Sequence, residues 1–217
     1  GLYSMACELA VLQSVYENAP KVETASKYTG YSYLPIGLFA YTQEDCVIKN
    51  LNLTNSIFFN DVYTGCGSVV ANGAGTLDTV YSDATIINYR RCAGGLVGLV
   101  ERGAFTLRNC WYDGEIRNIG NDGRWSGGLI GRIVSTSGET SIEHCLNTAD
   151  ISSEIVREDA QAGGFVGVVS AGSKLNMEDC LTVGTMTAER DGGLGTAVGA
   201  AVEGSALMMK NVYTNLD

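Results

Sequence analysis

Apolar and polar residues alternate along this chain in short runs, and the runs recur. "GLVGLV" at 95–100 and "TLRNCWY" at 106–112 read as short strands rather than helix turns. A four-residue pattern of apolar, any, small polar and apolar residues appears six times. It reads IKNL at 48–51, LDTV at 77–80, LRNC at 107–110, IEHC at 142–145, MEDC at 177–180 and MKNV at 209–212. Its last position falls on Leu51, Val80, Cys110, Cys145, Cys180 and Val212, at intervals of 29, 30, 35, 35 and 32 residues. Six residues further on, a second apolar column reads Ile57, Ile86, Ile116, Ile151 and Met186. A glycine-rich hexapeptide recurs with the same period: AGGLVG at 93–98, SGGLIG at 126–131 and AGGFVG at 162–167.

A period near 30 residues, filled with Gly, Ser, Thr, Val and Ile, leaves no room for two amphipathic helices per repeat. Three short strands per repeat do fit, and they predict an all-β parallel β-helix, or solenoid, of about six coils. Stacking at ~4.8 Å per coil sets equivalent residues on top of one another. The Leu/Val/Cys column then fills the narrow interior, where a thiol acts as a compact apolar group. The column before it, Asn50, Thr79, Asn109, His144, Asp179 and Asn211, suits a bend in which a short polar side chain bonds nearby backbone. The glycine pair of the hexapeptide marks a tight approach where a Cβ would crowd the next coil.

The first residues read differently. Met5, Leu9, Leu12, Tyr16 and Ala19 follow helical spacing, with Ser4 as N-cap and Asn18 and Pro20 as stop. This predicts an N-terminal α-helical cap and linker over 1–35, covering one end of a β-helix over 36–217. The last copy shows no cap, so the chain reads as part of a longer one.

Composition removes several function classes. The chain has 217 residues and a net charge of −10, with no basic run, which disfavours nucleic acid and anionic membrane surfaces. No apolar run reaches the ~20 residues of a membrane span. The seven cysteines form no C-x-x-C pair, and His144 is the only histidine, so neither a zinc site nor a Ser/His/Asp triad is expected. The hexapeptide has neither the G-x-G-x-x-G form nor a following Lys-Ser/Thr, and no calcium-binding nonapeptide array is present. No metal and no cofactor is expected.

The hexapeptides, the "IGLFAYTQEDCVIKNLNL" copy at 36–53 and the cysteine-ended segments resemble the GLUG-motif repeat family. The resemblance spans about five-sixths of the chain and weakens at 67–88 and 192–214. It implies a right-handed parallel β-helix and a secreted or cell-surface location in bacteria. It also implies a spacer or adhesive role, or a place in the non-catalytic region of an IgA-cleaving metalloprotease. It carries over no catalytic residue.

Function is then expected in the dissimilar loops, since insertions in repeat proteins gather on one face. Loops 117–125, 153–161 and 187–191 follow equivalent columns. The candidate binding edge is Tyr89, Arg91, Asp122, Arg124, Trp125, Arg157 and Arg190, extended by Arg90, with Trp125 exposed and a glycan or surface protein as partner. A polysaccharide-degrading enzyme is the minor alternative. Its candidate charges are the outward column Lys49, Asp78, Arg108, Glu143, Glu178 and Lys210, which alternation alone explains as sheet pairing.

Overall fold

The computed structural model describes residues 35–61, 63–154, 159–188 and 193–216. These form a parallel β-solenoid with three faces, every strand pairing in parallel with its equivalent in the next coil. The first face stacks Phe39–Thr42, Val70–Gly73, Val97–Val100, Ile130–Ile133, Val166–Val169 and Val198–Ala201. The second runs from Val47–Leu53 through Gly75–Ser82, Phe105–Arg108 and Glu139–Glu143 to the starts of Lys174–Ala188 and Ala206–Leu216. The third stacks Ile57–Asn60 and Gly65–Gly67, Thr85–Gly94, Glu115–Gly127, Asp150–Ser153 with Gln161–Gly163, and Gly193–Gly195.

The six copies resolve as about five turns. The last copy supplies Gly193–Gly195 and one strand each to the first and second faces but, among the described residues, no equivalent of Asp150–Ser153. The described residues contain no helix, and the helical cap read over 1–35 lies, apart from residue 35, outside them.

The interior ladder forms as read. Val80, Cys110, Cys145 and Cys180 are at most 2% exposed. Leu51 and Val212, in the first and last described coils, pack against them half-buried. The second apolar column carries one correction. Ile57 pairs with Thr85, and it is Phe58 that stands beside Ile86. The first coil has one extra residue in this bend, absorbed by Asn55 at φ 53°. The column is therefore Phe58, Ile86, Ile116, Ile151 and Met186.

The polar column has a sharper cause than its polarity. Asn50, Thr79, Asn109, His144, Asp179 and Asn211 all hold φ between 52° and 59°. This left-handed conformation turns the chain inside the second face, and Asn and Asp tolerate it best. Three of their side chains reach acidic side chains of a neighbouring coil. Asn109 Nδ2 donates to Asp78 Oδ1 at 3.3 Å, Asn211 Nδ2 donates to Asp179 Oδ1 at 2.7 Å, and His144 Nε2 lies 3.4 Å from Asp179 Oδ2. The β-branched Thr79 is the costly member. Thr79→Asn is expected to stabilise the fold by about 1 kcal/mol. Thermal melting should show a midpoint ~2–4 °C higher, and a lower midpoint would contradict the strain.

The six cysteines among the described residues are free thiols, five of them buried: Cys66, Cys92, Cys110, Cys145 and Cys180. Burial pushes Cys92 up to about 12 and Cys66 higher still. Cys145, hydrogen-bonded to Cys110 and buried, is held well above the usual thiol range. Of these six, native labelling with a maleimide at neutral pH is expected to modify half-buried Cys46 first. These five should react only as the chain opens, so rapid labelling of Cys110 or Cys180 would refute the packed ladder.

Candidate functional site

The predicted edge lies where the third face lengthens. Arg90 pairs with Asp122, Arg91 with Gly123 and Cys92 with Trp125, and the register breaks on both sides of 122–123. The extra residues between Asn118 and Trp125 leave the strand ladder there. Arg91 also sits in the left-handed region, at φ 49°. Backbone strain in a non-glycine residue is a recurrent property of binding sites.

Two aromatic rings and four arginines organise the edge. The guanidinium of Arg90 lies 4.7 Å from the centre of the Tyr63 ring, with that of Arg91 at 5.9 Å. Arg132 stacks 4.0 Å over Trp125, and Arg124 stands 5.8 Å from the same ring. Trp125 is therefore half-buried with a cation on its face, not the open platform its sequence context suggested. Tyr89 is half-buried beside Arg90. Arg157 and Arg190 lie outside the described residues.

The four cations are not equally neutralised. Arg90 Nε donates to Asp61 at 2.6 Å, which raises the guanidinium further above its ordinary value. Arg124 Nε donates to Asp122 at 3.0 Å, and its Nη1 lies 3.2 Å from Asp159. Arg91 is exposed and forms no ion pair among the described residues. Arg132 Nε donates to Ser170 Oγ at 3.0 Å, and among the described residues it forms no ion pair with a carboxylate. Burial holds Arg132 below its ordinary value, and the nearby charges of Arg91 and Arg124 add to this. It remains a cation, as guanidinium does in proteins.

Sequence reasoning missed Arg132 although a signal existed. It is the one charged residue in the column Leu99, Arg132, Val168 and Ala200 of the first face. The expected exposed tryptophan is instead Trp111, on the second face. There Tyr81, Trp111, Leu146, Leu181 and Tyr213 stand in register on successive coils. Trp111 Nε1 donates to Thr148 Oγ1 at 2.8 Å.

The outward charged column of the second face stacks as read. Asp78 pairs in register with Arg108, and Arg108 with Glu143. Arg108 Nη2 lies 2.9 Å from Asp78 Oδ2, and Lys210 Nζ contacts Glu178 Oε1. The Arg108 hydrogen bond holds the Asp78 carboxyl below its usual range, with Asn109 assisting. Glu143 and Glu178 are neighbours on adjacent coils. A cleft of about 870 Å³ opens between the first and second faces, lined by Tyr41, Glu44, Asp45, Asn72, Glu101 and Arg102 among others. Among the described residues no group of three or more His, Cys, Asp or Glu is placed to hold a metal. No helix there is long and apolar enough to cross a membrane.

No protein-family model and no curated protein matches the chain. Among solved structures it is similar to a chain titled IgA1 Protease, with a TM-score of 0.62 and 19% identity over 81% of this chain. The match covers 15% of that longer chain. At this identity the likeness is one of fold.

Proposed function

We propose that this chain is a non-catalytic binding module, an accessory β-helix of a longer secreted or surface-bound protein. The observation that carries the reading is the edge at 89–92 and 122–125 with Arg132. It is a strained, arginine- and aromatic-rich surface on a chain whose net charge is −10. Arginine and tryptophan are the residue types that dominate contact energies. The fold likeness to a small part of an IgA1 protease chain supports the accessory role, and so do the GLUG-like repeats. Both also favour an extracytoplasmic setting. A glycan or a surface protein fits as partner.

The second reading, a polysaccharide-degrading β-helix, rests on Glu143 and Glu178, two carboxylates on one face at coil spacing. Carboxylates close together are what glycosidic cleavage uses. Against it, Glu178 is tied to Lys210 and Asp78 to Arg108, as sheet pairing requires.

The test is retention on an array of glycans and surface proteins, with a reducing-end assay in parallel. Wild type is expected to bind a subset of spots without releasing sugar ends, and Trp125→Ala is expected to lose them. Binding unchanged by that substitution, or no binding at all, would overturn the edge. Release of reducing ends abolished in Glu143→Gln would favour the enzyme.

A further inference from the structure

The uncompensated arginines narrow the ligand's chemistry. Two of the four guanidinium groups at the edge, those of Arg90 and Arg124, already face the carboxylates of Asp61, Asp122 and Asp159. Among the described residues, Arg91 and Arg132 face none. Arg132 is the more telling, because a half-buried cation is costly unless something pairs with it. Its Nε is used by Ser170 and its plane is held by Trp125, which leaves the two terminal nitrogens as donors in fixed orientation. Such a pre-set fork fits a carboxylate through two parallel hydrogen bonds. Arg91 supplies a second charge on the same patch: it precedes Cys92, the strand neighbour of Trp125, and Arg132 lies 4.0 Å over that indole.

From this we infer that Arg91 and Arg132 form a carboxylate subsite beside Trp125, and that its ligand is an acidic glycan carrying isolated carboxylates among neutral hydroxyls. The inference rests on the binding-module reading and specifies its ligand. The three carboxylates of the same edge set the limit on charge. They accept hydrogen bonds from sugar hydroxyls and repel a densely charged polyanion, as does the net charge of −10. The backbone sets the other limit. Thr85–Gly94 pairs on both sides, with Gly65–Gly67 and with Glu115–Gly127, and the latter pairs again with Gln161–Gly163. At 90–92 the ladder is thus filled on both sides, and toward the next coil only the short bulge 119–124 lies off it, so side chains carry the recognition.

The test is titration of the protein with glucuronate, N-acetylneuraminate, glucose, heparin and a tetraglutamate peptide. The readouts are calorimetry and the Trp125 indole N–H resonance. One or both acidic sugars are expected to bind with Kd on the order of 1 mM or tighter and to weaken with salt, glucose at least tenfold more weakly. Arg132→Gln should weaken the acidic sugar at least tenfold. Arg91→Asn should do the same while suiting the left-handed backbone, so loss of binding there does not trace to misfolding. A thermal melt of Arg132→Gln separates lost binding from lost packing on Trp125. Equal affinity for glucose and the acidic sugars, or no response to Arg91→Asn, would overturn the subsite. Preference for heparin or the peptide would overturn the glycan. Array binding to neutral glycans alone would leave the module standing and remove only the carboxylate subsite.

Discussion

Gly94→Ala is expected to destabilise the solenoid by about 3 kcal/mol or more, the largest effect of any single methyl addition in the hexapeptides. A Cβ at Gly94 would lie 1.9 Å from the carbonyl oxygen of Val97 and 2.4 Å from the amide nitrogen of Gly131. Both obstacles are backbone, in the same coil and in the next, so no rotamer change relieves them. Gly127 and Gly163 repeat the geometry, each with a backbone oxygen at 2.0 Å and the next coil's glycine nitrogen at 2.5 Å. The glycines therefore let the third and first faces meet at backbone contact. Gly193→Ala is the control, since its nearest obstacle is the flexible Gln161 side chain at 3.1 Å. Urea unfolding should give a much lower midpoint for Gly94→Ala at unchanged slope, and near-wild-type behaviour for Gly193→Ala. Equal midpoints for the two variants would show that the corner is not closed as described.

Asn88→Ala should rank second, at about 3 kcal/mol. Asn60 Nδ2 donates to Asn88 Oδ1 at 2.6 Å, and Asn88 Nδ2 donates to Asn118 Oδ1 at 2.6 Å. Asn60 also donates to the carbonyl of Arg90 at 2.8 Å, and Asn118 donates to Ser126 Oγ. All three asparagines are at most 2% exposed. Removing the middle one takes the donor from Asn118 Oδ1 and one of the two acceptors from Asn60 Nδ2, and leaves a cavity. Because Asn60 and Arg90 are linked, the variant should also loosen the binding edge. Amide exchange measured across 88–92 should accelerate more than across the cysteine ladder. Uniform acceleration would argue for a global effect only.

What the sequence disclosed, it disclosed by columns. A residue that recurs once per coil is visible as periodicity, so the Cys110–Cys145–Cys180 interior and the bend at Asn109 and His144 could be placed before any coordinates. The register of the first copy slipped by one because Asn55 adds a residue without changing polarity, and Ile57 and Phe58 are equally apolar. The asparagine ladder was overlooked for a related reason. Asn60, Asn88 and Asn118 do recur, but a buried polar column competes with the habit of assigning asparagine to loops. The edge residues Arg91, Arg124 and Trp125 were legible as loop residues following a shared column. The partner of Trp125 was not, because Arg132 reaches it from another face, and contacts between faces leave no period in the chain.

The bend from the second face to the third keeps one length at 82–85, 112–115, 147–150 and 182–185 and takes a single extra residue in the first coil, at 53–57. The bend that carries the arginines grows from 88–92 to 118–125 and 153–161. Change is thus admitted freely at one corner of the prism and by no more than one residue at another. Lineages descended from this fold can acquire a new specificity by insertion as readily as by substitution, with the stacked interior inherited intact. Homologues that differ in what they hold are expected to differ first in the length of these segments, long before their cores diverge.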